Sequence, residues 1–153
     1  MKVNHVGYLV DDLDMACDKM KLLGFSVEAP SFFVKDRNQW NLFMTNGLER
    51  VELVMPVKTD ENEDDTNNSS KANAGNIGST LNGGTGPYHI CFESDDFDAD
   101  RKSLKKQGFL PISKVENEPA FGGKKLQFFY NSHIGIVELV QGKFTLEYST
   151  RNI

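Results

Sequence analysis

The feature that most constrains this 153-residue chain is an internal repeat. At a shift of 84, His5 to Phe25 overlays His89 to Phe109, matching His5 with His89, Asp11 with Asp95, Asp12 with Asp96, Asp14 with Asp98, Lys21 with Lys105, Gly24 with Gly108 and Phe25 with Phe109. Ordinary residue frequencies would give about one or two matches in such a window. Further on, Val51-Glu52-Leu53-Val54 returns as Val137-Glu138-Leu139-Val140 at a shift of 86, and the two extra residues fit a longer hairpin loop in the second copy. The length suits two half-size modules that share one core.

Each copy has the same local pattern. A β-rich run, Val3 to Val10 or Tyr88 to Glu93, ends in an Asp pair suited to capping a helix. Leu13, Ala16, Met20 and Leu23 then fall at helical spacing, and Gly24 sits where a left-handed C-terminal cap is wanted. Phe97, Leu104 and Gly108 repeat this in the second copy. Three β-rich stretches follow in each half: Phe25 to Val34, Gln39 to Thr45 and Arg50 to Met55, then Phe109 to Val115, Lys125 to Tyr130 and Ile136 to Gln141. The expected class is α+β, built from two βαβββ modules at 1–56 and 87–147 that together make one domain over 1–153. The intervening 57–86 is rich in Asn, Ser, Thr, Gly and acidic residues and reads as a linker, with Ile77 and Leu81 available for one docked turn. After Gly142, alternating Phe144, Leu146 and Tyr148 suggest a further edge strand.

Composition narrows the function. The net charge of -5 is supplied by Asp60, Glu61, Glu63, Asp64 and Asp65, which leaves the rest of the chain neutral. That run reads as a solvated loop. No basic patch with interleaved aromatics marks a nucleic-acid partner. No apolar stretch is long enough to span a bilayer, and the first residues do not read as a secretory signal, so a cytoplasmic location is expected. Cys17 and Cys91 do not make a disulfide framework and read as small buried hydrophobes.

The chemistry lies in the repeated His and Glu. Strand alternation puts His5 on a face with Gly7 and Leu9, and Glu52 on a face with Val54. A carboxylate among Val51, Leu53 and Val54 is costly to bury unless a cation or several donors compensate it, and Glu138 repeats the problem. A lone His in an apolar strand is usually a core residue, and a lone Glu there usually faces solvent. Recurrence of both types in both copies changes that judgement, because an approximate twofold axis would bring His5, Glu52, His89 and Glu138 together. Two imidazoles and two carboxylates suit one divalent ion such as Zn, Ni, Co, Mn or Fe(II). His133 has no partner in the first copy and reads as a turn residue.

The motifs His-x-Gly-Tyr-x-Val-Asp-Asp-Leu from His5, Val-Glu-Leu-Val-Met-Pro from Val51, Gly-Pro-Tyr-His-Ile-Cys-Phe-Glu from Gly86 and Gly-Ile-Val-Glu-Leu-Val from Gly135 resemble the vicinal-oxygen-chelate superfamily. The likeness is strongest to glyoxalase I-like and methylmalonyl-CoA epimerase-like members. It implies a cupped mixed sheet around a metal held by His5, Glu52, His89 and Glu138, and it leaves room for a homodimer. The implied activity is removal of a proton next to a carbonyl, with the substrate's oxygens on the metal. Glu138 is the implied base and Glu52 its counterpart on the opposite face. The implied substrate is a small carbonyl compound or thioester, so the expectation is a glyoxalase I-type lyase. A methylmalonyl-CoA epimerase-like isomerase is the first alternative, and a metal-containing binding protein without turnover is the second.

The segment Pro119-Ala120-Phe121-Gly122-Gly123 resembles the superfamily's substrate-covering loop, with Phe121 as a lid. Phe43 and Tyr130 complete the expected substrate-binding set. Three departures stand out. Leu9 occupies the place of an Arg found in glutathione-using glyoxalases, Tyr130-Asn131-Ser132 replaces a His-Pro-Lys common in epimerases, and Asn41 stands where some relatives use Glu.

Overall fold

The computed structural model describes residues 1–57 and 84–146. The first half runs β1 (Lys2–Leu9), α1 (Leu13–Leu22), β2 (Ser26–Val27), β3 (Phe32–Val34), a 3-10 turn (Lys35–Arg37), β4 (Gln39–Thr45) and β5 (Arg50–Pro56). The second repeats it as β6 (Gly86–Ser94), α2 (Phe97–Lys106), β7 (Leu110–Pro111), β8 (Glu116–Glu118), a 3-10 turn (Pro119–Phe121), β9 (Lys124–Asn131) and β10 (Gly135–Gln141). The expected Asp pairs do cap both helices: the Asp12 carboxylate accepts from the Met15 amide at 2.9 Å and that of Asp96 from the Ala99 amide at 3.1 Å. Gly24 and Gly108 follow with φ of 89° and 84°, which end each helix in a conformation that a Cβ would penalise.

All described strands join one mixed sheet in the order β2-β4-β5-β1-β6-β10-β9-β7, with β3 on β4 and β8 on β9. The two copies meet at its centre, where β1 and β6 pair antiparallel, and each is flanked by a parallel partner, β5 on β1 and β10 on β6. Alternation then separates two surfaces. Leu42, Met44, Val51 and Leu53 face outward and pack beneath α1, and Phe129 and Leu139 do the same with Phe97 and Leu104 of α2. The opposite face gathers Leu9, Phe43, Val54, Tyr88, Cys91, Leu126, Phe128, Ile136 and Val140 into one interior.

Three expectations change. Phe25 to Val34 and Phe109 to Val115 do not each form one strand. Pro30 lacks the amide hydrogen a continuous ladder needs, and β2 pairs with Thr45 and Met44 while β3 pairs with Asn41 to Gln39; in the second copy β7 ends at Pro111, paired with Phe129, and pairing with β9 resumes at Glu116. The two extra residues of the second copy are not both in the hairpin. Phe43 pairs with Glu52 and Phe128 with Glu138, which gives these strands a shift of 85. One insertion therefore lies in the turn before β9, around Gly123, and one in the β9–β10 loop. Residues 143–146 form no strand; Phe144 instead turns into the sheet interior. The acidic run, the Ile77–Leu81 turn and Tyr148 lie outside the described residues.

Candidate metal centre

Two irregularities in the β1–β6 ladder shape the site. The register passes from Val3↔Phe92 to His5↔Cys91, and from Gly7↔His89 to Tyr8↔Pro87. Asn4 and Tyr88, equivalent by the repeat, are the extra residues, each just before a histidine. A bulge of this kind lets neighbouring side chains leave strict alternation. The His5 Nδ1–H can thus donate to Asn4 Oδ1 at 2.9 Å, which points Nε2 toward the interior, where a metal can displace its proton. Asn4 is fixed in turn: Arg50 donates to its Oδ1 at 3.2 Å, and its own amide donates to Glu93 at 2.7 Å. The second histidine is positioned by absence. A Cβ on Gly7 would lie 2.0 Å from His89 Cε1 and 2.2 Å from Nδ1, so the imidazole lies in space that only glycine leaves open.

His5, Glu52, His89 and Glu138 converge as the resemblance implies, all buried, with one donor atom from each within 4.8 Å of every other. The two Nε2 atoms are 3.1 Å apart. Glu138 Oε2 lies 3.2 Å from each of them, and Glu52 Oε2 lies 3.3 Å from His5 and 3.6 Å from His89. Donors sharing an ion at bond lengths of about 2.0–2.2 Å sit roughly 3.0–3.5 Å from one another, so the spacing fits a single divalent ion. Among the described residues, neither Glu138 Oε2 nor His89 Nδ1, both buried, has a hydrogen-bond partner of good geometry. An orphaned carboxylate oxygen aimed at two imidazole nitrogens fits a missing cation, and the N₂O₂ donor set suits a borderline metal. Burial alone would lower the His5 pKa, but contacts with Glu138 and Glu52 more than reverse this and hold it at about 9. Burial would raise the Glu138 carboxyl, yet the two histidines pull it well below the usual carboxylate range.

The two glutamates are held differently. Gln39 Nε2 donates to Asn41 Oδ1 at 2.8 Å, and Asn41 Nδ2 donates to Glu52 Oε1 at 2.6 Å. This relay along the inner face of β4 pins one carboxylate oxygen and turns the other toward the histidines. Across the repeat, the register puts Leu126 where β4 has Asn41. A leucine cannot donate, so Glu138 has no such amide partner. Cys91 lies beside Glu138, and burial followed by the nearby carboxylates pushes its thiol well up; packing remains its role. The relay could have been sought in the sequence as Gln39, Asn41 and Phe43 alternating on the face that carries Glu52 after pairing.

Phe43 lies beside the cluster, fully buried with its ring 5.1 Å from that of His5. Phe121 also points inward, 5.8 Å from Phe43, from the end of its 3-10 turn, and Gly122 and Gly123 follow at positive φ. Tyr130 is not brought in; it is 42% exposed at the end of β9. His133 is in the expected turn, its amide donating to Asn131 at 3.0 Å. Sequence reasoning missed Arg37, which is buried and bridges the halves through Glu116 at 3.0 Å and Glu118 at 2.9 Å. It also missed Phe144, whose ring reaches the cluster.

Residues 4–130 match the profile of the Glyoxalase/Bleomycin resistance protein/Dioxygenase superfamily. The chain belongs to this superfamily. Solved structures of similar fold include a methylmalonyl-CoA epimerase from Mycobacterium tuberculosis, with a TM-score of 0.69, 19% identity, and coverage of 92% of this chain and 87% of that one. A Streptomyces coelicolor methylmalonyl-CoA epimerase variant in complex with 2-nitronate-propionyl-CoA gives 0.68 at 21% identity, covering 93% and 97%. A hypothetical protein from Bacillus halodurans gives 0.70 at 15% identity, covering 96% and 98%. No curated protein matches by sequence. No helix among the described residues is long and apolar enough to cross a membrane.

Proposed function

We propose that this protein is a divalent-metal enzyme that moves a proton on and off a carbon next to a carbonyl. The observation that carries the reading is the unequal restraint of two buried carboxylates around a pair of histidines. His5, His89, Glu52 and Glu138 would hold the ion; when bound, it supplies a Lewis acid that offsets negative charge developing on a substrate oxygen. Asn4 keeps the proton of His5 on Nδ1, so that Nε2 stays available as a ligand. The Gln39–Asn41 relay holds Glu52 as a ligand. Glu138, whose Oε2 faces the two imidazoles and which has no amide relay like the one behind Glu52, is the carboxylate able to leave its resting contact and take a proton from carbon. Phe43, Phe121 and Phe128 keep water from the same space.

Two substrate classes fit: a hemithioacetal, in a glyoxalase I-type lyase, and a coenzyme A thioester, in an epimerase-type isomerase. The epimerase neighbours support the second. Leu9 also favours it, since an apolar side chain offers no partner to a glutathione carboxylate. The test follows exchange of the substrate's α-proton with deuterated water across several hemithioacetals and methylmalonyl-CoA, under metal saturation. Glu138→Gln should retain metal yet lose roughly 10²-fold or more in exchange, the low end of what general-base removal costs. Glu52→Gln should lose less. Full exchange by metal-loaded Glu138→Gln would remove Glu138 as the base, and a larger loss from Glu52→Gln would reverse the two roles. A metal-loaded parent that exchanges none of the panel would instead favour a binding protein.

A further inference from the structure

Among the described residues, one buried member of the interior cluster, Phe144, does not come from a paired strand or the 3-10 turn. After β10, the Gly142 amide donates to Ser94 O at 2.7 Å, and Gly142 takes a φ of 65° that turns the chain back over the sheet. Residues 143–146 form no ladder, yet Phe144 is only 3% exposed. Its ring lies flat on Phe121 at 3.9 Å, with an interplanar angle of 12°. It meets Phe43 edge-on at 6.2 Å and the ligand-cluster residue His5 edge-on at 6.3 Å. The Arg50 guanidinium lies 5.4 Å from the ring centroid, and the same Arg50 holds Asn4, which orients His5. The repeat gives this residue no aromatic counterpart, since a shift of 86 leads from Phe144 to Lys58.

We propose that the segment from Gly142 to Leu146 is a gate over the cluster, and that Phe144 fills an aromatic slot meant for a flat, apolar group of the substrate. The inference rests on the proposed metal site and adds to it a preference for substrates carrying such a group. Among the described residues the segment is anchored by the Phe144 ring, by Leu146 against the same cluster and by the Gly142 amide, and a segment outside the sheet ladder can open locally without unfolding the sheet beneath it. The slot it vacates keeps the Phe121 face on one side and the edges of Phe43 and His5 on another. Those surfaces accept a planar ring or a conjugated acyl group by stacking, with Arg50 adding attraction at its π face.

The test uses the full chain loaded with cobalt(II), as parent, Phe144→Ala and Phe144→Trp. Two quantities are measured: the rate of cobalt loss to excess chelator, and the affinities for benzohydroxamate and acetohydroxamate, which share a chelating head and differ by the ring. Phe144→Ala should lose cobalt about tenfold faster and gain about tenfold for benzohydroxamate with less change for acetohydroxamate, as expected when one stacked, cation-contacting ring is removed. Phe144→Trp should shift both quantities the other way, a result that damage to the fold would not produce. A parent that holds cobalt while both variants keep its loss rate and its hydroxamate affinities overturns the gate. Faster loss with no preference for the ring overturns the slot. A parent that binds no cobalt refutes the metal site, and this inference with it.

Discussion

Gly7→Ala is the smallest change that should disable the cluster. Gly7 pairs directly with His89 across the central strands. The new methyl carbon would lie 2.0 Å from Cε1, 2.2 Å from Nδ1 and 2.7 Å from Nε2 of the imidazole, where ordinary contact begins at 3.4 Å. The closest approach is short by about 1.4 Å, a large fraction of the roughly 2.0–2.1 Å bond between an imidazole nitrogen and a metal. Backbone cannot absorb this cheaply, because β1 also pairs with β5 on its other edge. The ring must therefore leave its position. Overpacking of this kind costs about 1–3 kcal/mol in the metal-free protein. Metal affinity should fall by at least about 100-fold, since even loss of a residue that merely orients a ligand costs 10–100-fold. Denaturant unfolding of the stripped protein and competition titration with a chelator measure the two effects. In a His89→Ala background the ring is gone, so adding Gly7→Ala should cost almost nothing further, leaving a coupling energy of about 1–3 kcal/mol. A Gly7→Ala protein that binds metal like the parent, or a penalty that persists without His89, would refute the reasoning.

Asn41→Leu would give Glu52 the surroundings that Leu126 gives Glu138, and should weaken metal binding about 10–100-fold while leaving the circular dichroism spectrum unchanged; unchanged affinity would mean that the relay does not orient Glu52. In the metal-free protein, His5 is held at about 9 against an ordinary 6.5, so its stabilising contribution is complete below about pH 6.5 and is lost as pH rises through 9. Calorimetry should therefore show the stripped protein's Tm falling over that window while metal uptake, which displaces the proton, strengthens. Glu138 is shifted the opposite way, so its contribution is present above about pH 4.5 and is lost on acidification below it. A Tm independent of pH between 6.5 and 9 would contradict the assignment for His5.

The convergence of His5, Glu52, His89 and Glu138 was legible because duplication turns four scattered residues into two pairs related by an axis, and strand alternation says which face each takes. Helix starts were legible for a local reason: Asp12 and Asp96 satisfy amides within their own first turns. What escaped were features set by register. Nothing in the sequence marks Asn4 and Tyr88 as bulged residues, yet the bulge puts the Asn4 amide against His5. The relay through Asn41 depends on which strand lies beside Glu52, and that pairing is not local. Phe144 and Leu146 alternate as an edge strand would, yet both pack against the interior cluster, a contact between distant parts of the chain that alternation does not reveal. Arg37 went unmarked because its carboxylate partners lie some eighty positions away, in the other half.

The central claim is that these four residues hold one divalent ion, and isothermal titration of the stripped protein with zinc tests it most directly. The acidic run from Asp60 to Asp65 is a rival binder, so the titration is repeated on a His5→Ala, His89→Ala double variant. A single tight site per chain is expected in the parent and none in the double variant. No uptake by the parent, or the same uptake by both proteins, would contradict it.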